Sequence, residues 1–439
     1  MKADMPRTTA QQSFFSINRP PRLKLLVGLV CFLLLLTWYL RSGDGSSSGA
    51  SAALATGSLR YGIMMDAGST GSRTHVFAFT RDSKGTLTIL HEEFMEVKPG
   101  LSEYADNPEA GAASIVPLME HALNFVPSAY QKSTPIALKA TAGLRILGEE
   151  KSRAILEATS TMIRRYPFAT APNEAPAVIM DGKDEGPFAW VTVNFLLESL
   201  QRKTQTAAIL DMGGGSTQVV FKPSTDSALS NAPREHIYEA RLGGIVHRLY
   251  QHSYLGLGLR QATKQVKQRA VERRHSGTDF PCYPNGYTQS VSGDKLQTAP
   301  GKQSFDGCVS YVAEALFDKD PSKCPNKPCA FGSIFQPSLT SEFTGPIYAF
   351  SYFYDYISNM LPKDGIVTVG HYRTLGNQAC NSDGDQNKGE MCLEVSFLYA
   401  ILSHGYGLRD AQTLHVKKKI NDIETAWALG ALILEKNLM

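Results

Sequence analysis

Two short segments of the chain carry residue types that can hold a phosphate chain. The first, DAGSTGSRTHV, runs from Asp66 to Val76, and the second, DMGGGSTQVV, runs from Asp211 to Val220. Each follows a short apolar run and opens with Asp, glycine and small hydroxyl residues, which predicts a strand, a tight turn and a second strand. Glycines let the turn approach a ligand closely, while backbone N–H groups and hydroxyls donate hydrogen bonds to an anion.

One Gly/Ser-rich turn is usually only a turn, but here a second copy begins about 145 residues after the first. Such a repeat predicts a duplicated architecture in which two lobes face one phosphate chain. The hydroxyl donors expected in the two turns belong to Ser69, Thr70, Ser216 and Thr217.

The segment between the two turns supplies a carboxylate. Ala177 to Leu200 predicts a strand, an acidic turn and a helix, with Asp184 and Glu185 where the helix begins. Asp184 is interpreted as a helix cap, because carboxylates at helix N-termini commonly are. Glu185 is the candidate general base, since hydrolysis needs a carboxylate to deprotonate water and this one lies between the two phosphate turns in sequence.

Further elements must bring these residues together. Strands are predicted at residues 61–65, 74–79 and 86–96, and helices at 108–126, with a kink or break at Pro117, and at 151–166. Residues 135–147 predict a buried strand that places Thr141 and Arg145 at its carboxyl edge, where open α/β sheets bind ligands. An ordinary strand-to-helix connection is the alternative.

In the second half of the chain, residues 239–258 predict a helix carrying His247 and His252. Their spacing of five does not align them on a metal, so both are interpreted as structural or exposed. Residues 277–336 predict a loop-rich elaboration, and residues 347–360 are densely aromatic, with one or two rings available to stack on a base. Helices are predicted at 391–402 and 423–434, and small residues in the last one favour close packing against the first lobe.

Composition places the chain among globular proteins of more than one lobe. It has 439 residues, of which 43% are hydrophobic, and this length exceeds what one core usually serves. The formal net charge of +3 arises from 44 basic and 41 acidic residues. This balance, together with the absence of any nucleic-acid-reading motif, excludes nucleic acid as the expected partner.

The N-terminus predicts a membrane anchor. Leu25 to Leu40 is an uncharged apolar run preceded by several Lys and Arg residues, which predicts a type II span with a cytoplasmic N-terminus and a lumenal remainder. The short span suits the thinner membranes of the Golgi or endoplasmic reticulum. A cleaved signal peptide is the alternative. Ser42 to Ser58 predicts a flexible stem, and release after cleavage in the stem stays open.

The cysteines indicate an oxidising compartment. Apart from Cys31 in the apolar run, six cysteines lie in the last third of the chain. Proximity suggests the pairs Cys282–Cys308, Cys324–Cys329 and Cys380–Cys392, although six cysteines allow fifteen connectivities. A zinc site is the alternative, but no second close pair accompanies CPNKPC. The chain contains no N-x-[S/T] glycosylation sequon.

Five stretches resemble the five apyrase-conserved regions of the nucleoside triphosphate diphosphohydrolase (apyrase) family. They are DAGSTGSR at Asp66, ALKATAGLR at Ala137, DGKDEGPFAWVTVN at Asp181, AILDMGGGSTQVVF at Ala208 and ETAWALGA at Glu424. They follow the family's order. FSYFYD at Phe350 and CPNKPCAFGSIFQPSL at Cys324 are most similar to the Golgi guanosine-diphosphatase branch.

The resemblance implies a role for each matching residue. Glu185 matches the general base, and Ser216 and Gln218 match the pair that holds the attacking water. Asp66 and Asp211 match the carboxylates that hold a Ca²⁺ or Mg²⁺ ion, largely through the waters of the ion, and Thr141 and Trp427 match residues that line this metal site. The phosphate loops comprise Ser69, Thr70, Gly71, Gly213, Gly214, Gly215, Ser216 and Thr217, and the base is expected on Tyr354 or Tyr406. Cell-surface members place His where this chain has Gly71, which favours a diphosphatase.

The resemblance also implies an α/β fold with two RNase H-like lobes of the actin/hexokinase-like superfold. We expect a cytoplasmic tail (1–24), an anchor (25–40), a stem (41–58), lobe I (59–183 with 424–439) and lobe II (184–423) with a disulfide-bearing insertion. The leading hypothesis is a lumenal diphosphatase that acts on GDP or UDP and supports glycosylation, with no obligate protein partner. A broad-specificity apyrase, a kinase of the same superfold and a non-enzymatic lumenal protein are the alternatives.

Overall fold

The computed structural model describes residues 57–200, 205–274, 279–317, 327–382 and 389–439. The predicted tail, the predicted anchor and almost all of the stem lie outside these ranges. Within them, no helix combines the length and the apolar character that a membrane span needs.

The residues before 180 form a mixed five-stranded sheet in the order β3-β2-β1-β4-β5. Strand β2 is antiparallel to β3, whereas β1, β4 and β5 are parallel. The strands are β1 (Gly57–Ala67), β2 (Ser72–Asp82), β3 (Leu87–Val97), β4 (Ile136–Ala140) and β5 (Ala177–Ile179). The accompanying helices are α1 (Pro108–Ser114), α2 (Val116–Phe125), α3 (Ser128–Gln131), α4 (Ala142–Leu147) and α5 (Glu149–Ile163).

A second sheet, of seven strands, follows in the order β13-β14-β12-β6-β7-β9-β8. Its strands are β6 (Ala208–Met212), β7 (Ser216–Phe221), β8 (Ile237–Leu242), β9 (Ile245–Leu255), β12 (Ile347–Ser351), β13 (Ile366–Thr368) and β14 (Thr413–Val416). Two small hairpins complete the strands, β10 (Thr288–Val291) with β11 (Asp294–Gln297), and β15 (Lys419–Ile420) with β16 (Ile423–Glu424).

The two sheets repeat one topology. In the second sheet β9, β7 and β6 are antiparallel neighbours, and β6, β12 and β14 are parallel neighbours, which repeats β3-β2-β1-β4-β5 in order and direction. Each phosphate turn therefore joins the first two strands of its sheet. The duplication predicted from the two turns is present in the strand order.

The remaining helices cover the second sheet and return to the first. They are α6 (Gly182–Leu196), α7 (Leu259–Arg274), α8 (Phe305–Leu316), α9 (Tyr352–Ile357), α10 (Val369–Cys380), α11 (Met391–Ala400) and α12 (Ala428–Glu435). Helix α12 packs on α6, where the Gly430 N–H donates to Thr192 Oγ1 at 2.8 Å. A Cβ on Gly430 would collide with the carbonyl of Phe188, so a small residue is required at this crossing.

One predicted helix is wrong. Residues 239–258 form the hairpin of β8 and β9, and His247 and His252 lie on β9. Gly243 and Gly244 make the connection with positive φ values of 54° and 78°. Two consecutive glycines in this conformation form the tight turn that suits a hairpin, and this signal outweighs the helix-like spacing of the apolar residues.

Other element boundaries also differ from the prediction. The predicted 108–126 helix breaks at Ile115, and Pro117 lies in the first turn of the second segment, where proline is tolerated. The strand predicted at 135–147 ends at Ala140, because α4 begins two residues later. The α6 cap is Asp181, whose Oδ1 accepts from the Lys183 N–H at 3.1 Å, and not Asp184 as predicted.

Two of the predicted disulfides are confirmed. Cys282 bonds to Cys308 on α8, and Cys380 on α10 bonds to Cys392 on α11. The third predicted pair involves Cys324, which lies outside the described residues, so it stays a prediction. The region expected to be loop-rich, 277–336, contains α8 and the β10–β11 hairpin among its described parts.

Candidate active site

Two buried aspartates lie at equivalent places in the two sheets. Asp66 is near the end of β1 and Asp211 near the end of β6, with exposed fractions of 9% and 7%. Asp66 Oδ2 accepts from Arg73 Nη1 at 3.0 Å. The Oδ1 atoms of both aspartates are buried and have no hydrogen-bond partner among the described residues.

Glu185 lies in the first turn of α6 and is also buried. Its Oε2 accepts from Arg145 Nη2 at 2.5 Å. Burial raises the pKa of Glu185 to about 7, against the opposing effect of the Arg145 guanidinium and with a further increase from the charges of Asp211 and Asp66. Burial likewise raises the pKa of Asp211 to about 6.

A hydroxyl and an amide converge beside this helix. Gln218 Nε2 donates to Ser216 Oγ at 2.7 Å and to Ser253 Oγ at 3.0 Å. Both donor hydrogens are thereby used, and Gln218 Oε1 stays buried without a partner in the described structure. The start of α6 packs directly on this strand, since a Cβ on Gly186 would lie 3.2 Å from Gln218 Cβ. The carboxylate, hydroxyl and amide predicted as catalytic are therefore brought together.

The two phosphate turns face each other closely. A Cβ on Gly214 would lie 2.5 Å from Ser69 Oγ and 2.8 Å from Thr70 Cγ2, so glycine is required by the approach of the opposite turn. The second turn is held from behind by the start of α7, where the Leu259 N–H donates to the Gly213 carbonyl at 2.9 Å.

These groups line one cavity of about 480 Å³. The predicted site residues on its wall are Asp66, Ser69, Thr70, Thr141, Glu185, Asp211, Gly213, Gly214, Gly215, Ser216, Tyr354 and Trp427. Gly71, Thr217, Gln218 and Tyr406 are not on the wall. Gly71 instead packs against β3, where a Cβ would lie 3.0 Å from both Glu96 Oε1 and the Val97 carbonyl.

The structure contradicts Tyr406 as a base-binding ring. Its ring is only 3% exposed and its hydroxyl lies 3.0 Å from Thr217 Oγ1, beneath the second turn. Thr217 Oγ1 also donates to the Asp211 carbonyl at 2.7 Å. The Thr217 hydroxyl therefore supports the turn and does not face a phosphate. A glycine-flanked tyrosine in sequence carries no signal of its burial, which explains the error.

Several lining residues were missed by sequence reasoning. They are Arg73, Glu96, Lys98, Arg260, Ser351, Tyr352, Asp355, Lys418 and Glu424. Arg73 belongs to the first motif and could have been predicted, because the tight turn between Asp66 and Arg73 brings the two residues close together at its two ends. Ser351 ends β12 with φ 58° and ψ −129°, a conformation that non-glycine residues rarely adopt and that sequence does not reveal.

The comparison with family models decides the membership. The model of the GDA1/CD39 (nucleoside phosphatase) family matches residues 53–439. The chain belongs to this family. The match begins before β1 and ends at the last residue, so it includes all five motifs that resemble the apyrase-conserved regions.

Similar proteins include fungal and animal members of the family. The guanosine-diphosphatase of Candida albicans is 37% identical over 431 residues, which cover 86% of this chain and 71% of that protein. The nucleoside diphosphate phosphatase ENTPD5 of Homo sapiens is 36% identical, covering 84% of this chain and 86% of its own. A solved structure of nucleoside triphosphate hydrolases from Neospora caninum shares the fold, with a TM-score of 0.62 at 16% identity over 92% of this chain and 97% of that chain.

A divalent cation fits the site's free oxygens. No cluster of three or more His, Cys, Asp or Glu side chains forms a metal cage in the described part of the chain. The unpartnered Oδ1 atoms of Asp66 and Asp211 are nevertheless buried carboxylate oxygens next to one cavity. Ca²⁺ and Mg²⁺ prefer oxygen ligands, and Mg²⁺ in particular retains several waters, so few protein ligands suffice.

Proposed function

We propose that this family member hydrolyses nucleoside diphosphates, GDP and UDP foremost, to the monophosphate and phosphate. The observation that carries the proposal is the position of Glu185, buried with a pKa raised to about 7, beside the Ser216 and Gln218 pair. A carboxylate with such a pKa is matched to general-base work near neutral pH. The names of the fungal and human relatives, guanosine-diphosphatase and nucleoside diphosphate phosphatase, support the choice of a diphosphate.

In the proposed reaction, Glu185 takes a proton from a water held by Ser216 Oγ and by the free Gln218 Oε1. The water attacks the terminal phosphorus, and the nucleoside monophosphate leaves. The hydroxyls of Ser69 and Thr70 and the backbone of Gly213 to Gly215 orient the phosphates. Phosphoryl transfer needs mainly positioning and charge neutralisation, and no covalent phospho-enzyme is required.

The metal site is part of the proposal. Asp66, Asp211, Thr141 and Trp427 would hold Ca²⁺ or Mg²⁺, largely through its waters. When bound, the ion neutralises charge on the phosphate oxygens. Arg73 donates to Asp66 Oδ2 only, so Asp66 Oδ1 is left for a metal-bound water.

The preference for diphosphates is supported by the names of the relatives and by the resemblance, in which cell-surface members place His where this chain has Gly71. A broad-specificity apyrase that also cleaves triphosphates is the second candidate. A kinase or a non-enzymatic protein is disfavoured, because Glu185, Asp66, Asp211 and Ser216 are all present and all line the cavity. The base is proposed to stack on Tyr354, the predicted ring that lines the cavity.

Architecture and location complete the proposal. The repeated strand order supports two RNase H-like lobes of the actin/hexokinase-like superfold, with α12 returning to the first lobe. We place the protein in the Golgi or endoplasmic reticulum membrane, anchored through residues 25–40 with the catalytic part lumenal. Removal of GDP or UDP released by glycosyltransferases would be its role there.

The test uses the full chain, purified in detergent. Phosphate release is measured from GDP, UDP, ADP and ATP with Ca²⁺, Mg²⁺ or a chelator. We expect diphosphates to be favoured and Glu185→Gln to lose at least about 100-fold in kcat, the scale of a lost general base. Asp184→Asn, one residue earlier in the same helical turn, is the matched control and should retain activity. Absence of release from every nucleotide, or an active Glu185→Gln, would refute the proposal.

A further inference from the structure

The carboxylates on the cavity wall differ in whether they have a partner. Within the described ranges, the acidic residues that line the cavity are Asp66, Glu96, Glu185, Asp211, Asp355 and Glu424. Asp355, in α9, lies on this wall and is exposed, and its carboxylate makes no hydrogen bond or ion pair within the described residues; the charges of Lys418, Arg73 and Lys98 act on it only from a greater distance.

Each of the other five carboxylates has a closer polar or charged partner. These are Arg73 for Asp66 and Glu96, Arg145 for Glu185, Lys418 for Glu424, and the Ser351 hydroxyl for Asp211. The cationic side chains on the wall are likewise used. Arg260, which contacts the first residue of α9, donates to Glu394 Oε1 at 2.5 Å and lies 5.3 Å from the centre of the Tyr352 ring.

A free carboxylate opposes the binding of a polyanion. Asp355 would repel phosphate and none of the surrounding cations pairs with it directly, so we expect it to face a part of the nucleotide that presents hydrogen-bond donors. In a nucleoside diphosphate those donors are the base N–H groups and the ribose hydroxyls. Asp355 directly follows Tyr354 and lies three residues after Tyr352 on the same helix, and both aromatic side chains line the same cavity. A carboxylate beside flat rings favours the edge of a stacked base over the ribose.

Resting on the proposed function, we propose that Asp355 selects guanine by accepting hydrogen bonds from N1–H and the 2-amino group. Guanine presents these two donors side by side, which matches the two oxygens of one carboxylate. Uracil and hypoxanthine offer one such donor, flanked by a carbonyl oxygen. Adenine and cytosine place an unprotonated ring nitrogen beside the amino group, and a carboxylate repels that nitrogen. The expected order is therefore GDP, then IDP and UDP, then ADP and CDP.

The test compares kcat/KM for GDP, IDP, UDP and ADP on the full chain and on Asp355→Asn. The wild type should prefer GDP to IDP by about 10-fold or more, the scale of a good bidentate contact to a base. Asp355→Asn should reduce that ratio to near one, chiefly through KM for GDP, while ADP turnover is retained or improved. Asp226→Asn, an exposed acidic residue away from the cavity, is the matched control and should keep the wild-type ratios.

A second measurement needs no variant. 1-Methyl-GDP keeps the ring and the 2-amino group but lacks N1–H, so the wild type should use it at least about 10-fold less well than GDP. 2′-Deoxy-GDP tests the ribose and should behave like GDP. Equal use of GDP and 1-methyl-GDP, a change in Asp355→Asn that is the same for every base, or a selective loss on 2′-deoxy-GDP would overturn the assignment. Absence of phosphate release from every nucleotide would instead refute the proposed function itself.

Discussion

The Arg145–Glu185 ion pair sets the pH at which the proposed base works. Glu185 is protonated more readily than an ordinary glutamate because it is buried, and the guanidinium opposes that effect by stabilising the carboxylate. Replacing Arg145 with Gln should therefore raise the pKa of Glu185 further. A hydrogen bond to a charged group contributes about 1.5–3 kcal/mol, and each pKa unit corresponds to about 1.4 kcal/mol. The expected shift is then about 1–2 units above the value of about 7.

The assay is the pH dependence of kcat for phosphate release from GDP with saturating metal. Because the base must be deprotonated, the acidic limb should lie near pH 7 in the wild type and move to higher pH in Arg145→Gln. Activity should recover in large part once the pH exceeds the new limb. Arg145→Lys keeps the charge and should shift the limb less. An acidic limb that does not move in Arg145→Gln would refute either Glu185 as the titrating base or the coupling inferred from the 2.5 Å contact.

Two further predictions concern the carboxylate of Asp211. Its pKa is raised from 3.8 to about 6 in the folded state, so without metal its contribution to stability is lost as the pH rises from about 4 to 6. Asp211→Asn should therefore stabilise the metal-free protein against urea by about 1–3 kcal/mol at pH 7.5 but not at pH 4, and it should abolish activity. Urea midpoints that are the same for the wild type and Asp211→Asn at both pH values would contradict this. Ser351→Gly should relieve about 1–2 kcal/mol of backbone strain at φ 58° and raise Tm, yet lower kcat because the hydroxyl that faces Asp211 is lost. Ser351→Ala keeps the backbone strain and also lacks the hydroxyl, so it should show no gain in Tm and a lower kcat. A fully active Ser351→Gly would exclude the role of the hydroxyl.

Local sequence signals were sufficient for the parts of the site that lie at strand ends. Asp66 and Asp211 each follow a buried apolar run and precede glycines. Such a run predicts a strand, and the glycines after it predict the turn, so both aspartates are expected near a strand end. The repeat then implied two facing turns, which the close approach of Gly214 to Ser69 bears out. Glu185 was chosen because it lies between the two turns in sequence, at the point where an acidic turn leads into a predicted helix.

Features that depend on contacts between distant segments were not predictable. The burial of Tyr406 against Thr217 joins residues 189 positions apart, and no local pattern distinguishes such a ring from one on a cleft wall. The β8–β9 hairpin was mistaken for a helix because its apolar residues fit either period, and only the paired glycines indicate the turn. The partner of Arg260, Glu394, is likewise 134 residues away.

The charges on the cavity wall explain why a divalent cation belongs in this reaction. Six acidic side chains line the cavity against four basic ones, Arg73, Lys98, Arg260 and Lys418, and each of these four already has a carboxylate within 4.0 Å. Every basic side chain on the described wall therefore has a carboxylate neighbour that competes with the phosphates of a nucleotide. The turns offer hydroxyls and backbone N–H groups, which orient phosphate oxygens but do not offset the excess of negative charge. We therefore expect an added cation to supply the neutralisation, and the buried, unpartnered oxygens of Asp66 and Asp211 are its proposed ligands.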